Sequence, residues 1–132
     1  MADLSPKGFT RATPNQSGSA TAAQLQSSPL RTAGAKVATA FEAVEKLSAN
    51  ITVRQIAVLA RAVERPGETT VASLSASLEV SKPVVTRALD RLRDLNLAHR
   101  RISTADRRVV LVDPTPFGVR LIAEAARALV SD

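Results

Sequence analysis

The change of apolar period along this chain limits its fold more than any other feature. From Val37 onward apolar residues recur at helical spacing, until Ala98–Val112, where two short strand-like runs flank a polar loop. Val37, Phe41 and Val44 fall at i, i+4 and i+7, and Leu47 extends the face. This predicts an amphipathic helix from Ala33 to near Asn50. Thr52 caps a second helix whose apolar face is Ile56, Leu59, Ala60 and Val63, and Arg65-Pro66-Gly67 stops it. Thr69 and Thr70 allow a very short strand and a cap for a third helix, Val71 to Leu78. After the turn Glu79-Val80-Ser81, Ser81 caps a fourth helix to about Leu95, with Pro83 in its first turn and Val85, Ala88, Leu89 and Leu92 buried. The hairpin follows, with strands Ala98–Ile102 and Val109–Val112 and a break at Asp113-Pro114. Thr115 and Pro116 then open a last helix to about Val130. The fold class expected is mainly α with a small β-hairpin wing, a winged helix-turn-helix.

At 132 residues there is room for one domain with a core. No apolar run approaches the roughly 20 residues that span a bilayer, and no secretory leader is evident, so a cytoplasmic, nucleoid-associated location is expected. The absence of cysteine excludes disulfides, thiol redox sensing and Cys-based zinc sites in this sequence. Its one histidine, His99, has no acidic cluster nearby, so no metal and no cofactor are expected; His99 is expected to face solvent or pack on the fourth helix. Residues 1–32, rich in Ser, Thr, Pro and Ala without a period, are expected to be a disordered tail, either a dispensable leader or a basic arm that docks on a partner. Residues 33–132 would form the winged helix-turn-helix domain with flanking dimerisation helices.

The net charge is +6, and its distribution is informative. Residues 82–108 hold eight basic and three acidic groups, 8 − 3 = +5, which points to a polyanionic partner. A short helix, a tight turn and a second helix with a polar outer face form a helix-turn-helix unit. The recognition helix, about 82–95, suits a major groove, with its N-terminal residues nearest the bases. Thr86 can touch a thymine methyl, Arg87 can pair bidentately with guanine, and Lys82 and Arg91 are placed for phosphates. The hairpin, with its loop at 103–108, carries Arg100, Arg101, Arg107 and Arg108, and a guanidinium at such a tip can enter a narrow minor groove. Asp106 among them is expected to brace the wing by bonding Arg108 or a backbone amide. Asp90, Arg91, Arg93 and Asp94 taken alone also fit a solvated helix face laced by i,i+3 and i,i+4 pairs.

The segments LEVSKPVVTRALDRLRDLNL, HRR and DRRVVLV, within roughly residues 35–130, resemble the MarR (multiple antibiotic resistance regulator) family. Asp106 and Arg108 stand at the paired positions of that family's D-x-R wing. The resemblance implies a homodimer on a pseudo-palindromic double-stranded operator, with recognition helices in major grooves and wings in minor grooves. It also implies DNA release by an effector, often a small phenolic ligand or an oxidant. It places Ser81, Lys82, Pro83, Thr86 and Arg87 at the DNA-facing start of the helix and Arg107 and Arg108 at the wing tip. The sequence departs from the family in three respects. One C-terminal helix stands where the family has two, so a shorter dimer interface is expected. Glu79 occupies the turn where glycine is common, a strained choice if the turn is left-handed. The missing cysteine removes the thiol switch.

The last helix is apolar on more than one side, so the first and last helices are expected to join two subunits. The interface would use Val37, Phe41 and Val44 with Phe117, Leu121, Ile122 and Leu129. No GxGxxG, Walker A, GxSxG or HExxH pattern occurs, and the carboxylates lie among arginines, so catalysis is not expected. The expectation is a bacterial, sequence-specific DNA-binding transcriptional regulator, a repressor or an activator, with repression the favoured direction. The alternative is a winged-helix protein-interaction module, an adaptor or anti-repressor without specific DNA binding.

Overall fold

A computed structural model of the protein describes residue 22 and residues 29–131. The expected tail lies largely outside the described residues. The chain divides into two units between Val37 and Ala38. In the first, Pro29–Val37 begin helix α1 (Pro29–Leu47), four residues ahead of the expected start at Ala33. Proline suits a first helical position because its missing N–H would have no partner there. Leu30 and Val37 are exposed.

The second unit holds the rest of α1 and then α2 (Val53–Glu64), α3 (Val71–Leu78), α4 (Lys82–Asp94), β1 (Ala98–Ile102), β2 (Val110–Pro114) and α5 (Pro116–Val130). Local chemistry sets most of these boundaries. Thr52 and Gln55 form a reciprocal capping box at the start of α2, and Thr70 and Ser73 form another at the start of α3. Gly67, at φ +80°, turns the chain after α2. At the end of α3 Glu79 is left-handed, with φ 56° and ψ 45°, so the turn carries the strained backbone that the sequence raised. The Val80 amide reaches back to the Ser75 carbonyl, and the Ser75 hydroxyl donates to the Val80 carbonyl at 2.5 Å, which closes the turn into α4.

Ser81 is the N-cap of α4, but its hydroxyl makes no capping bond. A cap accepts from the second or third helical amide. Here Pro83 has no N–H to give, and the Val84 amide is already held by the Ser81 carbonyl at 3.1 Å.

β1 and β2 pair antiparallel, with Ala98 opposite Pro114 and Ile102 opposite Val110. The returning strand therefore starts one residue later than expected and runs through Asp113-Pro114 instead of breaking there. Asp113 is held in place because its carboxylate accepts from Arg101 across the ladder at 2.5 Å. Pro114, as the last residue of the strand, removes a donor only at the ladder's end. On its other edge β2 is pinned by Thr70–Leu111 bridging and by the Val112 amide on the Thr69 carbonyl at 2.8 Å.

One core joins α1, α2, α3, α4, the hairpin and α5. It comprises Val44, Val58, Leu59, Ala62, Leu74, Val85, Ala88, Leu89, Leu92, Leu97, Ala98, Val112 and Leu121. All four residues expected to be buried on α4 are in it. On α2 the fully buried residues are Val58, Leu59 and Ala62, whereas Ile56, Ala60 and Val63 are half-buried. That helix packs against α4, α5 and β2 together, so its innermost line differs from a single amphipathic stripe. Thr115 caps α5 by accepting from the Gly118 amide at 2.9 Å, while its own amide donates to the Leu97 carbonyl at 3.0 Å.

Two residues expected at a dimer interface need correction. Val44 and Leu121 are 1% and 0% exposed within the protomer's own core, so they have no area left to offer a second copy. Phe117 and Ile122 are half-buried and pack against that core.

Candidate nucleic-acid interface

The core lies along one side of α4 at Val85, Ala88, Leu89 and Leu92. At 100° per residue, Pro83, Arg87, Asp90 and Asp94 then point away from it, with Thr86 and Arg91 on the two flanks. Ser81, Lys82, Pro83, Arg87 and Arg91 are exposed, and Thr86 is half-buried. The start of α4 has an idle Ser81 hydroxyl, no acidic residue in its first turn and Lys82 as its first residue. Helix starts favour anions, so this end is left without the compensation that a capping acid would supply.

The ion pairs divide the charges of the region 82–113 into two groups. Every acid there is engaged. Asp90 binds Arg100 at 2.5 Å and Arg93 at 3.7 Å, and Asp94 binds Arg93 at 3.3 Å. Asp113 binds Arg101 at 2.5 Å, and Asp106 binds Arg108. Among the described residues, Lys82, Arg87, Arg91 and Arg107 have no such partner. The acids on the outer face of α4 are thus screened by arginines, and four cations remain for an external anion. The pairs are partly exposed and individually worth about 0–1 kcal/mol, so phosphate can compete for their arginines.

The wing loop is ordered by side-chain bonds to its own backbone. Ser103 Oγ accepts from the amides of Ala105 and Asp106, both at 3.2 Å, and the Val109 amide donates to the Asp106 carbonyl at 2.9 Å. Asp106 accepts from the Arg108 amide at 3.0 Å and from its Nε and Nη2, both at 3.1 Å. The Arg108 guanidinium, and then its amide, hold the Asp106 carboxyl below the usual carboxylate range. Arg108 itself is 90% exposed, so its fork is fixed at the base while its outer edge stays open to solvent. Arg107 is exposed beside it, and Arg101 is occupied by Asp113. His99 is exposed on β1.

One group of residues on this side was not singled out from the sequence. Thr52, Arg54 and Gln55 at the start of α2 face Val84, Arg87 and Ala88 of α4 across an open cleft of about 330 Å³. A sequence clue does exist. Arg54 is the second residue of a helix, where the helix dipole favours a carboxylate over a cation.

The comparisons with known proteins agree with this geometry. Residues 51–110 match the sequence model of the MarR family. No curated protein sequence matches the chain. Among solved structures, a mutant of ZitR of Lactococcus lactis is 30% identical over 61% of this chain and 54% of its own, with a TM-score of 0.55. The chain thus spans about half the length of ZitR. FabT of Streptococcus pneumoniae, solved in complex with DNA, is 25% identical over 70% of this chain and 68% of its own, with a TM-score of 0.57. MepR of S. aureus, also solved with DNA, shares the fold at 21% identity, over 69% of this chain and 73% of its own, with a TM-score of 0.62. From the residue before the cap of α2 to the first residue of the returning wing strand, residues 51–110 are thus similar to the MarR family, and the fold around them is a winged helix-turn-helix.

Proposed function

We propose that this protein is a sequence-specific double-stranded DNA-binding transcription regulator that acts as a homodimer and represses by occupying its site. The observation that carries the reading is the division of charge on α4 and the wing, where every acid is paired and Lys82, Arg87, Arg91 and Arg107 remain uncommitted. The family match and the DNA complex of the similar FabT support it. In this reading α4 enters the major groove, with Arg87 on a guanine, Thr86 on a neighbouring base and Ser81, Lys82 and Arg91 on phosphates. Pro83 gives close backbone approach, and Arg107 and Arg108 enter the minor groove, braced by Asp106. Arg101, held by Asp113, serves the wing's shape first and phosphate second.

The dimer would be closed by apolar side chains that the protomer leaves exposed. These are Val37 and Phe41 on α1 and Val119, Leu129 and Val130 on α5, with Phe117 and Ile122 at their margin. Two recognition helices would then lie about 34 Å apart, one turn of B-DNA. No catalytic step or cofactor enters this reading, and among the described residues no helix is long and apolar enough to cross a membrane.

The test is fluorescence anisotropy with labelled duplex from upstream of the protein's own gene against a scrambled duplex, at several salt concentrations. A preference on the order of 10³ or more supports a specific regulator. Equal, salt-sensitive binding to both duplexes would reject it in favour of an electrostatic surface on a protein-binding module.

A further inference from the structure

The geometry points to a phosphate-binding site in the cleft between the start of α2 and the outer side of α4, with Arg54 as its anchoring cation; this rests on the DNA-binding reading and extends its footprint to a second helix. The cleft is lined by Thr52, Arg54 and Gln55 of the α2 start and by Val84, Arg87 and Ala88 of α4. Neither arginine has an anionic partner among the described residues. Arg54 and Arg87 therefore border one cavity with their positive charges uncompensated by protein.

The other cleft residues fit the same ligand. Gln55 Oε1 is committed, since it accepts from the Thr52 amide at 2.9 Å, and its Nε2 remains available to donate. Thr52 Oγ1 accepts from the Gln55 amide at 3.1 Å, which leaves the hydroxyl proton free to donate outward. No acidic residue lies in the first turn of α2 and none lines the cleft. A guanidinium at the second position of a helix opposes the helix dipole, so its placement there does nothing for folding. An external anion would reverse that balance. A backbone phosphate seated between Arg54 and the Thr52 hydroxyl would hold the DNA strand whose base edge Arg87 reaches. Arg54 would then set affinity without choosing sequence.

The site can be tested without knowing the operator, because phosphate contacts act on any sequence. Full-length protein would be titrated into a labelled duplex of arbitrary mixed sequence between roughly 50 and 200 mM salt, with melting temperatures measured in parallel. Arg54→Gln should bind more weakly, and its deficit should shrink about tenfold across that range, the change expected when about 0.9 per subunit is lost from the log–log salt slope of a dimer. Arg54→Glu should bind more weakly still yet melt no lower than the wild type, because a carboxylate suits that helix position. Arg54→Lys should keep most of the affinity.

Wild-type affinity and slope in both the Gln and Glu variants would overturn the site while leaving the regulator reading intact. A fall in melting temperature that accounts for the lost binding in both variants would also overturn it, since Arg54 would then be structural. Absence of salt-dependent binding by the wild type would overturn both readings.

Discussion

Nη2 of Arg100, on the first wing strand, donates to Oδ1 of Asp90, on the recognition helix, at 2.5 Å. The two residues are ten positions apart and belong to the two elements proposed to enter different grooves. Their bond ties the direction of the wing to that of the helix. Asp90 also receives Arg93, so a single carboxylate restrains two arginines on the outer side.

Replacement of Asp90 by Asn should therefore separate stability from specificity. The pair is partly exposed, 27% and 45% at the two side chains, so the loss in unfolding free energy should stay within about 1 kcal/mol. With one negative charge gone and two arginines released, affinity for arbitrary duplex should rise while the preference for the operator falls. Anisotropy on both duplexes measures this, and a preserved ratio would mean that the strut does not set the wing.

Gly118→Ala should be strongly destabilising. A Cβ at Gly118 would lie 2.1 Å from the Leu97 carbonyl oxygen, which is backbone and cannot rotate away. The same oxygen accepts from the Thr115 amide, so α5 would have to leave its seat at the end of the turn. Overpacking against a rigid neighbour costs about 1–3 kcal/mol and more where backbone must shift, and the upper part of that range is expected in denaturant titration.

Glu79→Gly should stabilise the protein by about 0.5–1 kcal/mol. The left-handed backbone at φ 56° costs a side-chain-bearing residue about 1–2 kcal/mol, and the greater freedom of glycine in the unfolded chain offsets part of the gain. A lower melting temperature in this variant would show that the Glu79 side chain has a role beyond filling the turn.

Leu121→Ala and Leu129→Glu should fail in different ways. Leu121 is 0% exposed, so its truncation should cost about 2–5 kcal/mol of folding stability. Leu129 is 48% exposed, so Leu129→Glu should keep the fold and shift sedimentation toward monomer. A folded dimer in the Glu variant would move the interface away from the end of α5.

The wing should loosen in acid. The carboxyl of Asp106 is held below its usual range by Arg108, so the folded state binds its proton less readily than the unfolded chain does. Its contribution to wing order is present above the unfolded value, near 3.9, and is lost as pH falls through the lowered folded value. Protection of the Arg108 Nε–H from exchange, taken relative to the intrinsic rate at each pH, should fall in that window, and Asp106→Asn should show the reduced protection already at neutral pH.

Much of the fold was legible because its cues are local. Thr52, Thr70 and Thr115 announce helix starts through bonds to amides two or three residues on, and Val85, Ala88, Leu89 and Leu92 mark one helix face by period alone. The MarR resemblance was legible for a related reason, since its quoted segments form one nearly continuous run through α4 and the hairpin. The limits of the returning strand were less legible. Asp113-Pro114 is a breaker by composition, yet it pairs with Ala98 and His99 in the ladder, where the Arg101 side chain holds Asp113 and the Thr69–Thr70 edge pins the residues just before it.

The sequence by itself determined the order of elements, the threonine caps of α2, α3 and α5, the α4 core face and the concentration of positive charge between residues 82 and 108. Each depends on residues within a few positions of one another or on simple counting. Only the tertiary structure decided which charges are neutralised, that Val44 and Leu121 belong to the core and not to an interface, and that Arg54 shares a cleft with Arg87. Those facts depend on distances between residues far apart in the chain. Period and composition are blind to such distances, which are set by the angles at which α2, α4 and the hairpin pack.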